Sequence, residues 1–393
     1  MNRNLAEFQL FDIEVKVHWS FILVLAFGAF AYGTGPAGWL IGGMYGALSF
    51  LLLFLCVTLH EFGHALTARR FGVGTRSILL LPIGGVANLE RIPEKPAQEL
   101  AIVIAGPLVN FAIALLLLPV TWLAAGGTAN LGFQALSANV QQPGVANLLL
   151  FLVSANVLLG IFNLLPAFPL DGGRILRALL ALVMPYTQAT WNAVLVGRLV
   201  AVAMAIFGIF TGAISLLLIA FFVYVGGSAE LEAVSSRAVL RTVRARSALA
   251  PAAVRLYNSE RVSRALDLIM SSYQTDYPVL DLAGQFVGVL TRPRLVHALR
   301  ELGPDARIVD VMLPAADVPV CGPDTDLAEV WEKMGQSGSR VVAVKEGHQF
   351  LGVITNDDIA EVFQVMGAAI EGRDRRVTPP TQPSSAGEGP DYA

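Results

Sequence analysis

Long apolar stretches separated by short polar breaks fill the first 230 residues, and the pattern stops there. No Asp, Glu, Lys or Arg occurs over Val17–His60, Ala101–Leu170 or Leu199–Ala229. A helix needs about 20 apolar residues to cross a bilayer. The first two stretches therefore have room for two spans each, and the third for one or two. Glycines, prolines and polar residues divide them into six candidate helices, near 17–33, 38–62, 101–125, 146–170, 192–210 and 211–228. Only Thr211-Gly212 marks a turn between the last two.

From residue 231 the pattern changes. A charged, helix-prone linker is expected over 231–246, and two similar blocks then follow at an offset of 64 residues. Met270 matches Met334, Gly288 matches Gly352 and Thr291 matches Thr355. Each block reads as helix, strand, Gly turn, strand and helix, so a two-copy α/β module is predicted over 247–367, with copies at about 247–301 and 306–366. Residues 368–393, with Pro379-Pro380 and Ser384-Ser385, are too polar and Pro-rich to pack and are expected to be disordered.

Charge sharpens this division. Residues 1–230 carry 10 Lys/Arg and 9 Asp/Glu, whereas residues 231–393 carry 17 and 21. The second part has the charge of an ordinary soluble domain, and the first is far below it. A polytopic α-helical membrane domain over 1–230 followed by a soluble α/β module is the expected fold class. Arg69, Arg70, Arg76, Arg91, Lys95, Arg174 and Arg177 fall in alternate connections, while those near Gly33–Gly42 and Pro119–Asn147 hold no charge. Excess Lys/Arg marks the cytoplasmic side, which puts both termini and the soluble module there. A net charge of −3 offers no basic field for nucleic acid. Cys56 and Cys321 are too few and too separate for a disulfide framework or a cysteine zinc site. Residues 1–16 do not read as a cleaved secretion signal.

The second span ends in Leu59-His60-Glu61-Phe62-Gly63-His64. Residues four apart share a helix face, so both imidazoles can reach one metal ion, with Glu61 beside them to take a proton from water. Ionisable groups at the end of an apolar helix are costly in a bilayer and mark function by default. The bland alternative is an interfacial helix end with snorkelling side chains. A catalytic zinc takes three protein ligands and leaves one position open. Asp171 is the sole carboxylate between Glu99 and Glu230, and it is expected at the same membrane face as His60 and His64. Pro166 and Pro169 before it predict irregular backbone, tolerated at membrane depth only around protein or a water cavity. A plain helix-capping role for Asp171 stays open at this point.

The combination of His60-Glu61-x-x-His64, Ala105-Gly106-Pro107-Leu-Val-Asn110 and Asn163…Pro169-Leu-Asp171-Gly-Gly resembles the site-2 protease family of intramembrane zinc metalloproteases. The resemblance covers 1–230. It implies one Zn²⁺ held by His60, His64 and Asp171, with Glu61 as general base and Asn163 steadying substrate. It also implies that Leu80–Asn88 is a re-entrant β segment able to pair with an unwound, membrane-embedded protein substrate. The cell (inner) membrane follows as location, and regulated intramembrane proteolysis as the activity, either to release a signalling factor or to clear signal-peptide remnants.

The tandem blocks resemble paired cystathionine-β-synthase (CBS) domains, a module that binds adenosine nucleotides such as ATP, ADP or AMP and commonly dimerises. The family's Thr-x-x-Asp ribose motif is kept as Thr355-Asn-Asp-Asp358, whereas the first copy carries Arg294 at the position of the Asp. A nucleotide site at Thr355 and Asp358 and a homodimer through the CBS pair are the corresponding expectations. Cys56 reads as a packing residue or a redox group, His18 as an interfacial anchor or a ligand, and Asn110 and Asn156 as helix glue or cavity lining. Two other readings compete with the protease. One is a catalytically silent, adenylate-sensing membrane adaptor; the other is a transporter with a regulatory module, though no inverted repeat is evident over 1–230.

Overall fold

The computed structural model describes residues 4–82, 84–89, 93, 95–126, 142–250, 253–271 and 274–365. The segment 368–393, expected to be disordered, lies outside the described residues. The chain divides into two units, Met1–Val234 and Ser235–Ala393.

In the first unit, β1 (Asn4–Leu10) and β2 (Ile13–His18) precede α1 (Phe21–Gly33) and α2 (Gly38–Arg70). Then come β3 (Thr75–Leu81), β4 (Gly84–Leu89), α3 (Pro96–Ala124), α4 (Val145–Asn163), α5 (Asp171–Leu180), α6 (Tyr186–Thr211) and α7 (Ile214–Leu240). Five of these helices are long and apolar enough to cross a membrane, and α1 is a shorter apolar helix of 13 residues. The span expected at 17–33 starts later because Ile13-Glu-Val-Lys-Val-His18 alternates with period two and pairs as β2. The turn expected at Thr211-Gly212 is made by Gly212 in the left-handed region (φ 69°). Residues 231–240, expected within a linker, continue α7 as helix.

Small residues let the first helices touch. A Cβ on Gly42 would strike the Tyr32 carbonyl, and one on Gly46 the Gly28 carbonyl, so α1 and α2 meet backbone to backbone. The strands form one sheet in the order β1-β2-β3-β4, with β2 and β3 parallel and the outer pairs antiparallel. Its buried face, Ile13, Val15, Ile78 and Leu80, packs on Phe62 and Ala65 of α2. The His-Glu helix end and the edge of β4, unpaired among the described residues, are thereby brought together.

The second unit holds two copies of one motif. In the first, β5 (Leu256–Tyr257), α8 (Val262–Ser271), β6 (Tyr277–Leu280), β7 (Phe286–Leu290) and α9 (Arg292–Glu301) follow each other. A short helix, α10 (Ile308–Val311), and strand β8 (Leu313–Pro314) lead on from it. The second has β9 (Val320–Cys321), α11 (Leu327–Ser337), β10 (Val341–Glu346), β11 (Gln349–Thr355) and a helix over 356–365. Leu256 pairs with Val279 and Val320 with Ala343, both in parallel, so the strand register itself repeats at the 64-residue offset.

Candidate metal centre

Helix α2 carries His60 and His64 on one face, and their Nε2 atoms lie 3.0 Å apart. Asp171 arrives from the other side as the first residue of α5, after the irregular stretch that Pro166 and Pro169 impose. Its Oδ2 stands 3.2 Å from His60 Nε2 and 3.3 Å from His64 Nε2. The helix is capped at Leu170, so Asp171 is not its cap, and the carboxylate turns to the imidazoles instead.

This trio has the spacing of a ligand set. Donors about 2.0–2.1 Å from a tetrahedral zinc stand about 3.3–3.4 Å from each other. His64 Nδ1 donates to the Ile102 carbonyl at 2.8 Å, which leaves its Nε2 lone pair facing inward. Asp171 Oδ2 and His60 Nδ1 are buried with no hydrogen-bond partner among the described residues. A cation at their centre would be met by all three donor atoms at once. The pocket is shaped for one: a Cβ on Gly106 would run into His64 Nε2 and lie 2.7 Å from His60 Nε2. Two imidazoles and a carboxylate suit zinc, which takes N and O donors and keeps a fourth position open in catalytic sites. The residues fit the metal that the sequence implies.

Glu61 sits between this cluster and the sheet. Its Oε2 accepts the Ala87 N–H of β4 at 3.2 Å, and a Cβ on Gly85 would meet its Cγ at 2.5 Å. Asn163 ends α4, and no hydrogen bond joins it to His60, His64 or Asp171 among the described residues. Cys56 is buried and packs beside Asn156, itself fully buried and donating to the Leu152 carbonyl. Asn110 is buried one turn beyond Gly106. His18 hydrogen-bonds Ser20 at 2.6 Å and lies against Trp19.

A second polar cluster escaped the sequence reading. Arg177 of α5, expected among the charges of a polar connection, is completely buried. Its Nε and Nη2 donate to Glu99 Oε1 of α3 at 2.9 and 2.5 Å, and its Nη1 donates to Glu230 of α7 at 2.5 Å. The guanidinium also lies over the rings of Phe168 and Tyr186, 5.1 and 4.9 Å from their centres. It pins to two neighbouring helices the short helix whose first residue is Asp171. The only signal in the sequence was the presence of Glu99 and Glu230 at either end of a long stretch with one other carboxylate.

In the second unit, Asp358 Oδ2 accepts from Thr355 N–H and Thr355 Oγ at 2.7 and 2.8 Å, a reciprocal cap at the start of helix 356–365. Arg294, the matching residue of the first copy, reaches the Val311 and Met312 carbonyls. Asp276 is buried and accepts from the Arg292 N–H, and burial pushes its carboxyl above the ordinary range.

Comparison with known proteins identifies the family. The sequence profile of peptidase family M50 matches residues 48–206, and that of the CBS domain matches 308–365. A zinc metalloprotease of Methanocaldococcus jannaschii is 33% identical over 374 residues, covering 95% of this chain and 100% of the relative. Stage IV sporulation protein FB of Bacillus subtilis is 30% identical over 180 residues, covering 45% of this chain and 52% of its own. Among solved structures, the site-2 protease of M. jannaschii matches at 38% identity over 57% of this chain and 94% of that one, with a TM-score of 0.42. With a relative matched over its whole length and the HExxH helix facing Asp171, the chain belongs to peptidase family M50, as a multi-pass zinc metalloprotease of the site-2 type that carries a CBS domain.

Proposed function

We propose that the protein hydrolyses a peptide bond in or beside a transmembrane segment of a membrane-embedded protein, near the cytoplasmic face, and that adenine nucleotide at the CBS pair adjusts this activity. The observation that carries the reading is the meeting of three ligand atoms within 3.0–3.3 Å at the end of an apolar helix, with a carboxylate and a free strand edge beside them. His60, His64 and Asp171 would hold the zinc. When bound, it lowers the pKa of a water to about 7 and polarises a carbonyl.

The chain's own groups do the rest. Glu61 takes the proton from the attacking water and returns it to the leaving amine nitrogen, so the carboxylate ends as it began. A substrate helix has its carbonyls tied up in hydrogen bonds and must unwind first. The edge of β4 offers such a segment main-chain partners. Asn163, at the end of α4, steadies the substrate carbonyl. Thr355 and Asp358 are the ribose-binding candidates, with the cap between them fixing the carboxylate.

The test compares membranes from cells carrying wild type and Glu61→Gln, with every membrane protein and fragment quantified. A single-span protein that accumulates intact only with Glu61→Gln is the expected result. Equal profiles, with zinc present in both proteins, would favour the silent adaptor. Titration of ATP, ADP and AMP against the full-length protein tests the regulatory half, which falls if none binds below millimolar concentration.

A further inference from the structure

We infer that the Ala87 amide is the point at which an extended substrate displaces Glu61, so that the strand to be cleaved itself releases the general base. The inference rests on the proteolytic reading above and names a positioning residue for it. Among the described residues strand β4 pairs only with β3, and so one side of its backbone is an edge. Successive residues of a strand turn their N–H and C=O to alternate sides. The Ala87 N–H donates to Glu61 rather than into the ladder, so Ala87 faces outward, as does Gly85 two residues earlier.

The Glu61 carboxylate fills the gap between these two outward units. Its Oε2 takes the Ala87 N–H at 3.2 Å, and its Oε1 lies 3.0 Å from where a Cβ on Gly85 would stand. A chain added beside β4 would place a carbonyl oxygen about 2.9 Å from the same nitrogen. Two acceptors cannot occupy that position together. The incoming strand has the advantage, because it satisfies the outward N–H and offers its own N–H to an outward carbonyl, whereas the carboxylate makes one bond. Binding of an extended chain and departure of Glu61 from the edge are therefore one event. A helical segment, whose carbonyls are already used, cannot trigger it.

The experiment uses full-length protein in detergent and a fluorescein-labelled synthetic peptide of about 20 apolar residues with an Asn-Gly break near one end. Glu61→Gln keeps an acceptor for the Ala87 N–H and Glu61→Ala removes it; neither turns over, so affinity is read directly by fluorescence anisotropy. Glu61→Ala is expected to bind about fivefold more tightly, the worth of one hydrogen bond of ~1 kcal/mol. With Ala87→Pro added, the two are expected to agree, since an outward edge position tolerates proline. Zinc content checks that each variant is folded. Equal affinities of the two Glu61 variants overturn the inference, and this arm stands without the proline variant. A difference that survives Ala87→Pro in folded protein also overturns it, by assigning the gain to space alone. Wild type that leaves the peptide intact overturns the proteolytic reading and the inference with it; wild type that cleaves while affinities agree overturns the inference only.

Discussion

Gly106 has hydrogen where any other residue would carry carbon, and the two imidazoles occupy that space. Its small size serves the metal pocket rather than any turn, since it lies inside α3. Gly106→Ala adds one methyl group and must push His64 off its hydrogen bond to Ile102 or off the shared centre. Zinc affinity is expected to fall about 10–100-fold, the usual cost of disturbing the partners that orient a metal ligand. Competition with a fluorescent chelator measures it, and undiminished affinity would show that the helices can move apart at no cost. The residues of this site were legible in the sequence because helical spacing puts His60 and His64 on one face and few carboxylates competed with Asp171. Glu61's second partner was not legible: the Ala87 amide lies 26 positions away, and only the sheet brings it close.

At the scale of elements, the apolar stretches gave the long helices, and the prolines gave the break before α5. The four-stranded sheet was largely hidden, because its parallel β2–β3 pairing joins segments separated by both α1 and α2. The two-copy module was plainer, since a repeat exposes itself in sequence before any pairing is known. Arg177 illustrates the limit. An arginine beside a membrane span reads as a surface charge, and its partners stand 78 and 53 positions away. Removing one partner of a buried pair strands the other charge, which costs about 3–5 kcal/mol. Glu99→Ala should accordingly lower thermal stability in detergent by that order. Replacing Arg177, Glu99 and Glu230 together by Met, Leu and Gln should cost less than the single change. If Glu99→Ala melts like wild type, the guanidinium is satisfied by Glu230 and the rings alone.

For the whole molecule, the structure divides into a unit ending at Val234 and one beginning at Ser235, whereas the charge pattern of the sequence changes at residue 231, inside α7. The metal set has a consequence for how the first unit tolerates its surroundings. Two neutral imidazoles, Asp171, Glu61 and a divalent ion sum to zero charge, so the loaded centre adds no net charge at the depth of an apolar helix. Emptied, the same residues would have to take up protons, on the carboxylates or on the imidazoles beside them, to balance two negative charges in a low-dielectric setting. Zinc held as proposed would then be a structural element of the membrane unit as well as a reagent. Chelation should lower the melting temperature of the full-length protein and loosen amide exchange near residues 60–64 and 171. Asp171→Asn, which removes one of the negative charges, should melt closer to its own chelated form than wild type does. The ion offsets the electrostatic cost of keeping carboxylates inside a bilayer, and its loss would be felt as instability in the membrane even where no substrate is present.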